Sequence, residues 1–109
     1  MSNAEVAAGP ASVFAALGDV TRLSLLGTLS DGEPRSITSL SAGIRLSRQA
    51  VTKHLSVLEQ AGLVRSARSG RERSYAFRPE EVERARTYLG LVSAQWDEAL
   101  GRLRSLVED

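Results

Sequence analysis

The chain of 109 residues is 42% hydrophobic and 25% charged, with a net charge of +1; this suits one globular domain and leaves no room for two. It contains no cysteine, which excludes a disulfide framework and thiol chemistry. No run approaches the ~20 consecutive apolar residues of a membrane span, and no basic stretch ahead of an apolar run marks a secretory leader, so a cytoplasmic protein without membrane contacts is expected.

Residues 1–9 are small and featureless and read as a disordered N-terminal arm, with a single domain over 10–109. Pro10 suits the first turn of a short helix, where its missing N–H costs nothing. Val13, Phe14 and Leu17 give that helix an apolar stripe before Gly18 ends it. Asp19 is an N-cap for a second helix reaching about Ser30, whose apolar side is Leu23, Leu25, Leu26 and Leu29. Asp31-Gly32-Glu33-Pro34 is turn chemistry. Ile37 is expected to make a single short strand contact, and Thr38 to cap a third helix through about Ala42. After the turn Gly43-Ile44-Arg45-Leu46, Ser47 caps a fourth helix to Ala61, and Gly62 stands where a left-handed residue is wanted. The period then changes. Leu63 to Arg68 and Arg73 to Phe77 read as two strands joined around Ser69-Gly70-Arg71. Pro79 opens a last helix over about 80–107. The fold is therefore mainly α with a small β-hairpin wing: four helices, a hairpin and a fifth helix, a winged helix-turn-helix.

The charge is unevenly distributed. Residues 35–78 hold nine basic side chains against Glu59 and Glu72, a surplus of seven, whereas each flank carries a surplus of three acids. A basic middle between acidic flanks fits a domain that presents one face to a polyanion; a solvated Arg-rich surface is the alternative.

The fourth helix sharpens the choice. At 100° per residue, Ala50, Val51, Leu55, Val57, Leu58 and Ala61 share one arc, and Arg48, Gln49, Thr52, Lys53, Ser56 and Gln60 the opposite one. No acid precedes Glu59, as a helix entering a DNA groove requires, since an acid there would repel phosphate. Arg and Lys suit guanine O6/N7, Gln suits adenine N6/N7, and a Thr methyl can touch thymine. Ser47, at the helix start, leaves free N–H groups that favour a phosphate. The expected DNA-binding residues are Ser47, Arg48, Gln49, Thr52, Lys53 and Ser56, joined by Arg68, Arg71 and Arg73 of the hairpin tip, which suit backbone phosphate or a minor groove. An ordinary amphipathic helix with a mixed polar face is the plainer reading.

On the last helix Val82, Ala85, Leu89, Val92, Trp96, Ala99, Leu103 and Leu106 recur at spacings of three and four. This seam, with Phe14 and Leu17 of the first helix, is expected to pair with a twofold copy of itself; folding back on its own domain is the alternative.

These residues resemble the ArsR/SmtB family of winged-helix repressors over roughly Val13 to Val107. The resemblance is carried by Phe14-Ala15-Ala16-Leu17-Gly18-Asp19-Val20-Thr21-Arg22, by Leu46-Ser47-Arg48-Gln49-Ala50-Val51-Thr52-Lys53-His54-Leu55 through Leu58, by Ala61-Gly62-Leu63-Val64, and by Gly70-Arg71-Glu72-Arg73-Ser74-Tyr75. It implies a homodimer joined through its first and last helices, recognition helices in successive major grooves of a palindrome, and repression by occluding a promoter. Two departures stand out. Val20 replaces a common Pro, and Ser36-Ile37-Thr38-Ser39-Leu40-Ser41 lacks the Cys-x-Cys-like pair of metal-sensing members. The last helix has Asp97 and Glu98 but no histidine, and His54, the only one, reads as a packed structural residue. No metal, no cofactor and no transition-metal sensing are expected, and no residue points to an inducer.

With no Gly-rich phosphate loop, no zinc signature and no histidine beside a nucleophile, an enzyme is not expected. A protein-interaction module using the C-terminal seam, its basic wing incidental, is the main rival. RNA binding ranks third, because it usually wants exposed aromatics.

Overall fold

The computed structural model describes the backbone of residues 3–108 and the side chains of residues 9–108. The element order is α1 (Asn3–Leu17), α2 (Val20–Leu29), β1 (Arg35–Ser36), α3 (Ile37–Ala42), α4 (Arg48–Gln60), β2 (Val64–Ser69), β3 (Glu72–Phe77) and α5 (Glu80–Glu108). The strands form one antiparallel sheet in the order β1-β3-β2.

Local chemistry explains most of the boundaries. Asp19 caps α2 by accepting the Arg22 backbone N–H at 3.0 Å, and that bond, with the nearby Arg22 guanidinium, holds its carboxyl below the ordinary carboxylate value. Ser47 caps α4 by accepting from Ala50 N at 3.1 Å. The far end of α4 closes in a Schellman arrangement: Gly62 N bonds Glu59 O, Leu63 N bonds Leu58 O, and Gly62 takes φ +79°. A Cβ at Gly62 would also stand 2.8 Å from Glu81 Cγ on α5. The β2–β3 hairpin pairs Ser69 with Glu72 and turns on Gly70-Arg71, with φ +64° at Gly70 and no positive φ at Arg71. That is the II′ geometry, which favours Gly first.

Four sequence expectations need correction. Of the arm expected over 1–9, residues 1–2 lie outside the described residues, and from Asn3 the chain is helical, so Pro10 sits inside α1 rather than opening it. The short strand contact belongs to Arg35–Ser36, paired with Tyr75 and Ser74, and not to Ile37. The cap of α3 is Ser36, accepting from Ser39 N at 3.1 Å, and not Thr38; Thr38 instead donates to Glu72 Oε1. Leu23 and Val57, expected on the apolar sides of their helices, are both exposed.

The core is one cluster in which Val13 and Ala16 of α1, Leu25 and Leu29 of α2, Leu40 of α3 and Val51, Leu55 and Leu58 of α4 meet Leu63, just ahead of β2, and Val64 and Tyr75 of the sheet. Burial raises the Tyr75 phenol above its ordinary value. Ala85 alone of α5 is fully buried, while Phe14 stacks at a tilt on Tyr88, ring centres 6.5 Å apart. Beyond this contact α5, about 44 Å long at 1.5 Å per residue, runs past the body of the domain and stretches the molecule to 68 × 31 × 22 Å.

Candidate nucleic-acid interface

The third and fourth helices form the helix-turn-helix, and the hairpin flanks it as the wing. Because Val51, Leu55 and Leu58 are driven into the core, the 100° step turns the opposite side of α4 to solvent. Arg48, Gln49, Lys53 and Ser56 are exposed there, Ser47 is exposed at the helix start, and Thr52 is half-buried. Thr52 Oγ1 donates to Arg48 O at 2.7 Å, so its hydroxyl hydrogen is engaged within the helix. Glu59, the first acid along α4, accepts from Ser66 Oγ at 2.6 Å.

On the wing, Arg68 and Arg73 are direct cross-strand partners. Like charges facing each other across a sheet repel, and a bound polyanion would relieve that repulsion. Arg73 does not extend freely: its Nη1 donates to Ser66 Oγ at 3.0 Å, making a line Arg73–Ser66–Glu59 that laces the wing to α4. Arg68, Arg71 and Arg73 are all exposed. Glu72, the only acid in the hairpin, accepts from Thr38. The basic surplus is partly consumed elsewhere, since Arg35 pairs with Asp31 at 2.6 Å and Arg78 lies 3.7 Å from Glu80. Among the described residues none of Arg45, Arg48, Lys53, Arg65, Arg68 and Arg71 is in an ion pair.

The seam residues divide into two groups. Ala85 is buried in its own domain, and Phe14, Leu17 and Val82 pack against the core. Leu89, Trp96, Leu103 and Leu106 are exposed, and Val92 and Ala99 half-exposed. Folding back thus accounts for the first turns of α5 and not for the rest. His54, expected to be packed, is half-buried, but it also bonds: Arg22 Nη1 donates to its Nδ1 at 3.2 Å. The sequence offers Arg22 only as the end of the run Phe14 to Arg22 and gives it no role, because nothing in the spacing of residues 22 and 54 signals their meeting.

The fold is a winged helix-turn-helix, the architecture of many transcriptional regulators, and its solvent-facing helix and wing are basic. A family profile for a helix-turn-helix domain matches residues 17–67. The chain is 40% identical over 78 residues to YuzN, an HTH-type transcriptional regulator of Bacillus subtilis, covering 66% of this chain and 85% of that one. It is 32% identical over 99 residues to the HTH-type transcriptional regulator Rv2034 of Mycobacterium tuberculosis, covering 91% and 89%. The solved structure of an ArsR-like transcriptional regulator from Rhodococcus sp. RHA1 superposes with a TM-score of 0.79 at 39% identity, covering 91% of this chain and 92% of that one. The chain belongs to the ArsR family of transcriptional regulators. Among the described residues no single helix is long and apolar enough to cross a membrane.

Proposed function

We propose that two copies of the chain bind one palindromic operator in double-stranded DNA and repress transcription by occluding a promoter. One observation carries the reading: the outward face of α4 offers Arg48, Gln49, Lys53 and Ser56 from a Ser47-capped start, with no acid before Glu59 and that acid engaged by Ser66. Such a face attracts phosphate and carries the donors and acceptors that match base edges in a major groove. Arg68 and Arg71, at the wing, hold the backbone beside it, and Arg73 braces the wing against α4. The open stretch of α5 from Leu89 to Leu106 supplies the twofold contact that sets the half-sites roughly one helical turn, ~34 Å, apart. The protein performs no catalysis and needs no cofactor. It does not respond to transition metals, because it has no thiolate and the Nδ1 of its one histidine is occupied by a guanidinium.

Binding of the purified protein to its own upstream DNA, against scrambled duplex across a salt series, tests the proposal. With about eight phosphates neutralised per dimer, log affinity falls with log salt at a slope near −7, and the upstream duplex binds more tightly throughout. Added zinc leaves both curves in place. Equal affinity for both duplexes, or no binding at low salt, removes the DNA reading. The exposed apolar stretch of α5 then favours the second reading, a protein-interaction module with an incidental basic wing.

A further inference from the structure

Arg22 lies where three helices meet. Its backbone N–H is capped by Asp19 at the start of α2, its Nε donates to Ala16 O at 2.6 Å and its Nη2 to Ala15 O at 3.3 Å, closing the last turn of α1. Its remaining arm, Nη1, reaches His54 Nδ1 on α4 at 3.2 Å. A guanidinium can only donate. Nδ1 of His54 must therefore accept, which puts the ring hydrogen on Nε2 and gives the bond a fixed direction. Asp19 Oδ2, 3.7 Å from the same nitrogen, stands behind the contact.

The apolar grip on α4 runs along Val51, Leu55 and Leu58. Packing of that kind is non-directional, so it holds the helix down more firmly than it holds it against rolling about its axis. His54 sits on the flank of the grip, one 100° step from Leu55 and one from Lys53, where a directional bond resists roll. Side-chain ends lie about 6 Å from a helix axis, so a roll of ~10° shifts them by about 1 Å, beyond the ~0.5 Å tolerance of a recognition site. The other end of the bond is anchored in α1, whose Phe14 packs on Tyr88 of α5.

We propose that Arg22 and His54 are a positioning pair: a hydrogen-bonded strut that sets the roll of α4 against α1, and so governs base discrimination without touching DNA. The proposal rests on the DNA-binding reading above. Its test uses the full chain and the duplex that the wild type enriches from a randomised library. His54→Leu fills the space without an acceptor, whereas His54→Asn carries an oxygen close to the Nδ1 position. The expected result is that His54→Leu keeps random-duplex affinity and salt slope but loses about tenfold of the preference for the selected duplex, a loss comparable to one base contact, and that His54→Asn restores most of it. Retained preference in His54→Leu, an equal loss on selected and random DNA, or no rescue by Asn overturns the strut. Should His54→Leu fail to fold, nitrogen NMR of the wild-type imidazole decides: Nε2–H is required, and an Nδ1–H tautomer overturns it. Enrichment of no duplex by the wild type removes the DNA reading, and the strut with it.

Discussion

Gln49 and Arg71 are both exposed and polar, and the proposed function gives them different roles. Gln49 stands in the first turn of α4, where an amide can pair bidentately with adenine and so distinguish sequences. Arg71 is the second residue of a two-residue turn at the wing tip and is exposed, where under the proposed function a cation would meet phosphate regardless of sequence. Gln49→Ala is expected to narrow the gap between operator and scrambled duplex. Arg71→Ala is expected to weaken both alike and flatten the salt slope by roughly 1 for each phosphate left without its cation. Fluorescence anisotropy on both duplexes across salt separates the two, and parallel effects would refute the division. The exposed faces of these residues were legible from spacing alone. That Arg73 turns back to Ser66 and that Thr52 spends its hydroxyl hydrogen on Arg48 O were not, because both depend on rotamers chosen among near neighbours.

At the scale of elements, the ends of helices were read best where one residue type satisfies the backbone alone. Asp19, Ser47 and Gly62 are such residues, and all three stand at the ends expected of them. Gly62 carries two constraints at once: φ +79° and a 2.8 Å approach of Glu81 Cγ to the place of a Cβ. Gly62→Ala is therefore expected to destabilise the protein by about 1–2 kcal/mol from left-handed strain alone, with the Glu81 contact adding to it. In chemical denaturation, Glu81→Ala should recover only the contact part, and a neutral Gly62→Ala would contradict the account. The start of α3 is ambiguous in the sequence because Ser36 and Thr38 are both capable caps two residues apart. Pairing of Arg35–Ser36 with β3 decides between them, and that pairing spans almost forty residues of sequence.

At the scale of the molecule, the 68 Å long axis and the exposed seam belong together. Trp96 is 64% and Leu103 59% exposed, an apolar stripe that a single copy leaves in water. Leu103→Glu, well beyond the helix turns that pack on the domain, is expected to leave the fold intact and give a monomer by sedimentation. Operator affinity should fall about a hundredfold or more, because two linked half-site contacts become two separate ones. A dimer that survives this change with full affinity would place the twofold contact elsewhere.

The order of the main helices and the hairpin, most of the face of α4 turned to solvent, the wing turn and the apolar repeat of α5 are all legible in the amino-acid sequence. Each follows from short-range rules: a 100° step, a capping oxygen, a residue free to take positive φ. Three outcomes are not legible there: which part of the α5 seam its own domain covers, which arginines remain outside ion pairs, and that Arg22 reaches His54 where α1, α2 and α4 meet. Those outcomes depend on distances between residues far apart in the chain, and such distances exist only after the core has closed.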